Sequence, residues 1–164
     1  TFAVLRDVVD YPESTTGLGS GEVELTFLGE TKTYDVDAQG NYAIFQSSES
    51  GDRTVTIDTL YPVPDGVESL RIDFVVDAAG TSGSLVQVQW ISTVTSQGYS
   101  FIDGLVGADG TIDVTEQPDG RLVGTLSATL SGGDPMTDQP LAATFDITAD
   151  LYAFPPELSC PGGE

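Results

Sequence analysis

Asp35 and Asp37 stand two residues apart in the stretch DVDAQGNY (35–42), and Gly40 follows three positions after the second carboxylate. Calcium takes oxygen ligands in this kind of pattern. An EF-hand-type loop sets them at positions 1, 3 and 5, with glycine at 6 and a bidentate glutamate at 12. Counted from Asp35, the third position is Asp37, the fifth Gln39 and the sixth Gly40, but the twelfth is Gln46, which is neutral. The flanks, KTYDVD and NYAIFQ, alternate like strands where an EF-hand has helices. The stretch reads as a hairpin turn, with Gly40 and Asn41 both tolerating positive φ. Asp35 and Asp37 remain the candidate ligands of a bound Ca2+, the one cofactor the chain suggests.

Other chemistry is scarce. The chain has no histidine, which removes Ser-His-Asp and Cys-His nucleophile systems and every histidine metal ligand. A single cysteine, Cys160, makes neither a zinc site nor an internal disulfide. No phosphate-cradling or dinucleotide glycine fingerprint follows a strand. A glycosidase-type pair of carboxylates is the catalysis left open, and 26 acidic residues give no means of choosing one. The expectation is a protein that is not an enzyme. Trp90, Tyr99 and Phe101 would line a sugar-binding face if they projected outward. In LVQVQWI, however, Trp90 shares its side of the pleat with Val86 and Val88, which points it into a core. The Thr-x-Thr triplets at 31–33, 54–56 and 93–95 share no single period and follow from the strand preference of threonine.

The charge balance narrows the partners. Five basic residues oppose the 26 acidic ones, for a net charge of −21, and Lys32 is the sole lysine. So negative a surface repels nucleic acids and anionic lipid head groups, and no apolar run approaches the ~18 residues of a membrane span. High external salt or recruited divalent cations would each relieve the repulsion. The scarcity of lysine, with one Asn, one Met and one Cys among 164 residues, leans toward salt or heat. The chain starts at Thr1, and a cleaved secretory leader is the expected reason.

Period-two alternation runs through nearly the whole chain. Val23, Leu25 and Phe27 oppose Glu22, Glu24 and Thr26; Leu70, Ile72, Phe74 and Val76 oppose Arg71, Asp73 and Asp77. Asp-Gly recurs at 65–66, 103–104, 109–110 and 119–120, and EQPDGR (116–121) has the chemistry of a tight hairpin turn. The expectation is an all-β antiparallel sandwich or closed barrel of about nine or ten short strands, with jelly-roll and Ig-like topologies both open. The domain is expected over 22–153, preceded by a flexible tether at 12–21 and followed by a Pro-rich tail at 154–164.

Residues 1–11 form the other candidate site. Phe2, Val4 and Val8 fall on one side of a pleat and Leu5 lies on the other, so this segment is apolar enough to complete a sheet, its own or a neighbour's. TYDVDAQGNYAI (33–44) resembles the hairpin of transthyretin-like and carboxypeptidase-regulatory-like extracellular β-domains. GRLVGTLSATL with ATFDI resembles bacterial surface-lipoprotein sandwiches. Both resemblances imply an extracellular β-domain and no particular residue role. The resulting expectation is a secreted or cell-surface domain with a structural or adhesive role, able to self-assemble into a fibre by N-terminal strand exchange. A secreted module for calcium, sugar or another small ligand is the alternative.

Overall fold

A computed structural model describes residues 18–152. Among them there is no helix, so none is long and apolar enough to cross a membrane. The elements are β1 (Ser20–Phe27), β2 (Glu30–Asp35), β3 (Tyr42–Ser47), β4 (Arg53–Val63), β5 (Gly66–Val76), β6 (Gly83–Ser92), β7 (Gln97–Ile102), β8 (Asp109–Glu116), β9 (Leu122–Gly132), β10 (Thr137–Thr148) and β11 (Asp150–Leu151). They form one 11-stranded sheet in the order β11-β3-β4-β5-β6-β7-β9-β10-β1-β2, with β8 added on β9. The sheet is not closed, which corrects the expectation of a barrel as one outcome, and the strand count exceeds nine or ten because of the short β11.

All pairings are antiparallel except β11 on β3, as tight turns between successive strands require. The alternation seen in the sequence is the inside–outside alternation of the fold. Val23, Leu25 and Phe27 of β1, Leu70, Ile72, Phe74 and Val76 of β5, and Leu141, Ala143, Phe145 and Ile147 of β10 all enter one continuous core. The sheet folds back so that distant strands face one another across it. Phe27 meets Trp90 at 5.2 Å between ring centroids, Tyr34 meets Tyr61 at 5.4 Å, and Phe74 meets Phe145 at 5.4 Å. Each large side chain buried there contributes roughly 1.5–3 kcal/mol of transfer free energy.

Two irregularities depart from simple alternation. A bulge between Asp73 and Phe74 pairs these neighbours with Gln87 and Leu85, leaving Val86 as the extra residue. Val86 therefore points out and is exposed, whereas Val88 and Trp90 point in. Strict alternation puts all three on one side, and the bulge corrects that for Val86. The second irregularity is at β9. Its residues Gly132 and Ser131 pair with Tyr99 and Ser100 of β7, but Thr129 pairs with Asp109 of β8. Residues 103–108 thus loop out between β7 and β8, carrying Leu105 and Val106 into solvent. Asp109-Gly110, which has turn chemistry, instead opens β8.

Candidate functional site

The two carboxylates of the 35–42 stretch both brace the local backbone. Asp35 Oδ1 accepts the amide of Asp37 at 2.8 Å, and Asp37 Oδ2 accepts the amide of Gly21 at 3.1 Å. Ala38 donates its amide to the Asp35 carbonyl, and Val36 donates to Gly21 O, continuing the β1–β2 ladder past the end of β2. Within the stretch only Gly40 takes positive φ, at 86°. Asn41 does something the sequence does not signal. Buried to 3% exposure, it donates through Nδ2 to the carbonyls of Asp35 and Leu60 and accepts the Leu60 amide at 2.8 Å. This one side chain joins the end of β2, the last strand of the order, to β4, third from its other end.

Asp35 and Asp37 border an open hollow with Glu22, Asp146 and Arg121. Arg121 spans Asp119 and Asp146 at 2.9 and 2.7 Å. Among the described residues no three Cys, Asp or Glu side chains are placed to share a metal ion.

The aromatic residues that would have made a sugar face lie inside. Trp90, Tyr99 and Phe101 are 6%, 6% and 3% exposed. Trp90 donates its indole N–H to Tyr34 Oη at 3.2 Å, and Phe27 stands edge-on to both Trp90 and Tyr99. The outer face of the β3–β6 region carries a polar network instead. Thr56 and Arg71 donate to Asp73, and Tyr42 donates to Asp58. Burial raises the Asp58 carboxyl above its usual range, and burial followed by the nearby Asp58 charge pushes the Tyr42 phenol up to about 12.

Two of the four described cations, Lys32 and Arg53, join strands that are not neighbours in the sheet. Lys32 of β2 reaches Glu68 of β5 at 2.8 Å and Glu30 at 2.8 Å. Burial opposes its charge, yet the two carboxylates hold its ammonium well above the ordinary lysine value. Tyr34 beneath it is pushed up to about 12, chiefly by burial. Arg53 of β4 forms a bidentate pair with Glu116 of β8 at 2.9 and 2.7 Å, which lowers the Glu116 carboxyl.

The proposed assembly residues Phe2, Val4, Leu5 and Val8 lie outside the described residues, as does Cys160. What is described is where their segments attach. Leu18 O accepts the amide of Ala43 on β3, Gly19 donates its amide to Asp150 Oδ2 at 2.8 Å, and Tyr152 donates its amide to Phe45 O. The described chain therefore begins and ends beside β3. At the far end of the strand order, β2 pairs among the described residues with β1 alone. Compared with known proteins, the chain matches no family model, no curated protein and no solved structure.

Proposed function

We propose that this protein is a non-catalytic, extracellular or cell-surface β-domain with a structural or adhesive role, its sheet folded into a two-layered sandwich. Segment 1–11 is the strand it lends to a neighbouring copy, and repetition of that exchange builds a fibre.

One relationship supports this reading above the others. The described chain begins and ends beside β3, an edge covered by Leu18 and β11, while the edge of β2 has no described strand beyond it. A strand edge without a hydrogen-bonded neighbour is a template for an added strand, whose main-chain hydrogen bonds supply the affinity. At β2 only side-chain links, such as those of Asn41 and Lys32, reach across to β4 and β5 among the described residues. Phe2, Val4, Leu5 and Val8 give segment 1–11 apolar side chains for both faces of such a strand. A donor and an acceptor at different places on one molecule make a heterologous contact, which propagates where it does not close. A net charge of −21 accords with a salty exterior, where ions screen the repulsion between copies.

Deleting residues 1–11 and adding them back as a synthetic peptide tests the exchange. The truncated domain should stay folded and dispersed and bind the peptide, and the peptide should dissolve assemblies of the intact protein. A peptide without effect on either would contradict it.

A further inference from the structure

Between the β1–β2 hairpin and β6 a cavity of about 180 Å3 opens to solvent. Phe27 and Trp90 form its apolar floor, and Lys32, Glu30, Glu68 and Gln97 its polar wall. A closed apolar cavity of about 150 Å3 admits benzene, so this open one has room for a six-membered ring.

The polar wall retains unused capacity. Gln97 accepts a 3.4 Å bond from Tyr99 Oη, while its amide nitrogen makes none among the described residues. Glu30 meets Lys32 through Oε2, with its side chain 67% exposed. The rim is also strained. Non-glycine residues with positive φ occur at three described positions: Leu28 (52°), Asp65 (69°) and Ser96 (54°). Leu28 and Ser96 flank the mouth, in the β1–β2 and β6–β7 turns. The third lies in the β4–β5 turn, which is tied to the β6–β7 turn by the bonds of Val67 with Thr93. Leu28 and Gly29 are the two residues of the β1–β2 hairpin turn, which calls for positive φ at both (52° and 78°), at a cost to leucine on the order of 1 kcal/mol. Leu28 is half exposed, so its side chain is accessible at the mouth.

The wall selects a ligand class by charge. Two carboxylates against one ammonium, on a molecule of net charge −21, repel an anion. An organic cation would compete with Lys32, which already holds both carboxylates. A wholly apolar ligand would strip water from the ion pair and offer nothing in exchange. A neutral ring rich in hydroxyls fits: it can donate to Glu30 and Glu68, accept from Gln97, and rest an apolar edge on the half-exposed Leu28, with only the small exposed parts of Trp90 and Phe27 (6% and 5%) beneath it.

We propose that this cavity binds one neutral sugar ring, the adhesive contact of the domain. The proposal deepens the adhesive half of the proposed function and does not depend on strand exchange. Trp90 is the sole tryptophan of the chain, so its fluorescence reports directly on the site. Titration of the intact protein with D-glucose, D-galactose, D-mannose and N-acetyl-D-glucosamine should give a saturable change with at least one of them, near millimolar. Gln97→Ala should weaken that binding at least tenfold with an unchanged melting temperature. Leu28→Gly should weaken it as well, with a melting temperature equal or higher because glycine accepts the φ. No saturation with any of the four sugars would overturn the proposal. So would saturation equal in all three proteins, or saturation by tetramethylammonium or acetate in place of sugars. Assembly of the intact protein is read separately, by sedimentation, so failure of one idea leaves the other decidable.

Discussion

Lys32 of β2 and Glu68 of β5 are 36 residues apart in sequence and 2.8 Å apart in space, joined through both carboxylate oxygens of Glu68. Their side chains are 20% and 13% exposed, and the ammonium also lies 5.5 Å above the Tyr61 ring. Breaking a fully buried pair costs about 3–5 kcal/mol because the remaining charge is stranded. For this partly wetted pair, Lys32→Met should cost about 2 kcal/mol in thermal or urea unfolding. Adding Glu68→Leu to Lys32→Met should recover more than half of that loss, since the stranded carboxylate is then gone. A double variant as unstable as the sum of the singles would show that the two residues act independently.

Acid should expose two carboxyls of opposite sign. The bond from Arg53 lowers the Glu116 pKa in the fold, so its contribution is present above the unfolded glutamate value of about 4.3 and is lost as the pH falls through the lowered value. Burial raises the Asp58 pKa, so its ionised form costs stability at neutral pH and that cost fades as the pH falls toward about 3.9. Glu116→Gln should be less stable than the parent at neutral pH and lose less in acid. Asp58→Asn should be more stable at neutral pH, with an advantage that vanishes below pH ~4. Urea midpoints measured across that range check both signs.

The metal question has its own test. An asparagine at either position would still present a side-chain carbonyl oxygen to the amides that Asp35 and Asp37 now serve, those of Asp37 and Gly21. Asp35→Asn with Asp37→Asn should therefore stay within ~0.5 kcal/mol of the parent. Molar sodium or potassium chloride should raise the melting temperature of both proteins alike, by screening. Calcium at a few millimolar should add nothing specific. A calcium-dependent rise present in the parent and absent in the double variant would identify the loop as a metal site.

Gly132 sits where β9 parts from β7, and a Cβ there would run into the carbonyl of Gly98 and the Cα of Tyr99. Gly132→Ala should cost about 1–3 kcal/mol through forced separation of the strands. Gly98 faces the same junction, but a methyl group added to it would meet the Ile91 side chain at 3.6 Å, which is ordinary contact. Gly98→Ala should be close to neutral, and chemical denaturation of the two variants compares them directly.

The inward residues of β1, β5 and β10 are legible in the sequence because each strand alternates without interruption and each has one wet face. The hairpin at Asp119-Gly120 is legible for a similar reason, since Gly120 takes the φ of 86° that its turn demands. Val86 is not legible. A bulge moves it outward, and an apolar residue at an alternating position gives no local sign of the extra residue. Asn41 reads as a second positive-φ residue because asparagine serves turns and buried bridges equally well, and its partner Leu60 is 19 residues away. The cavity at Lys32 is hidden for the same reason: β1, β2, β5, β6 and β7 each contribute to its wall, and no short stretch carries its signature.

Sedimentation velocity of the intact chain in molar salt, from micromolar to millimolar and in the cold, tests the central claim of a self-assembling surface domain most directly. The account predicts species that grow with concentration, regular filaments in the electron microscope, and loss of both when residues 1–11 are removed. An intact chain that sediments as a monomer across the whole range would contradict it and leave segment 1–11 without a role in assembly.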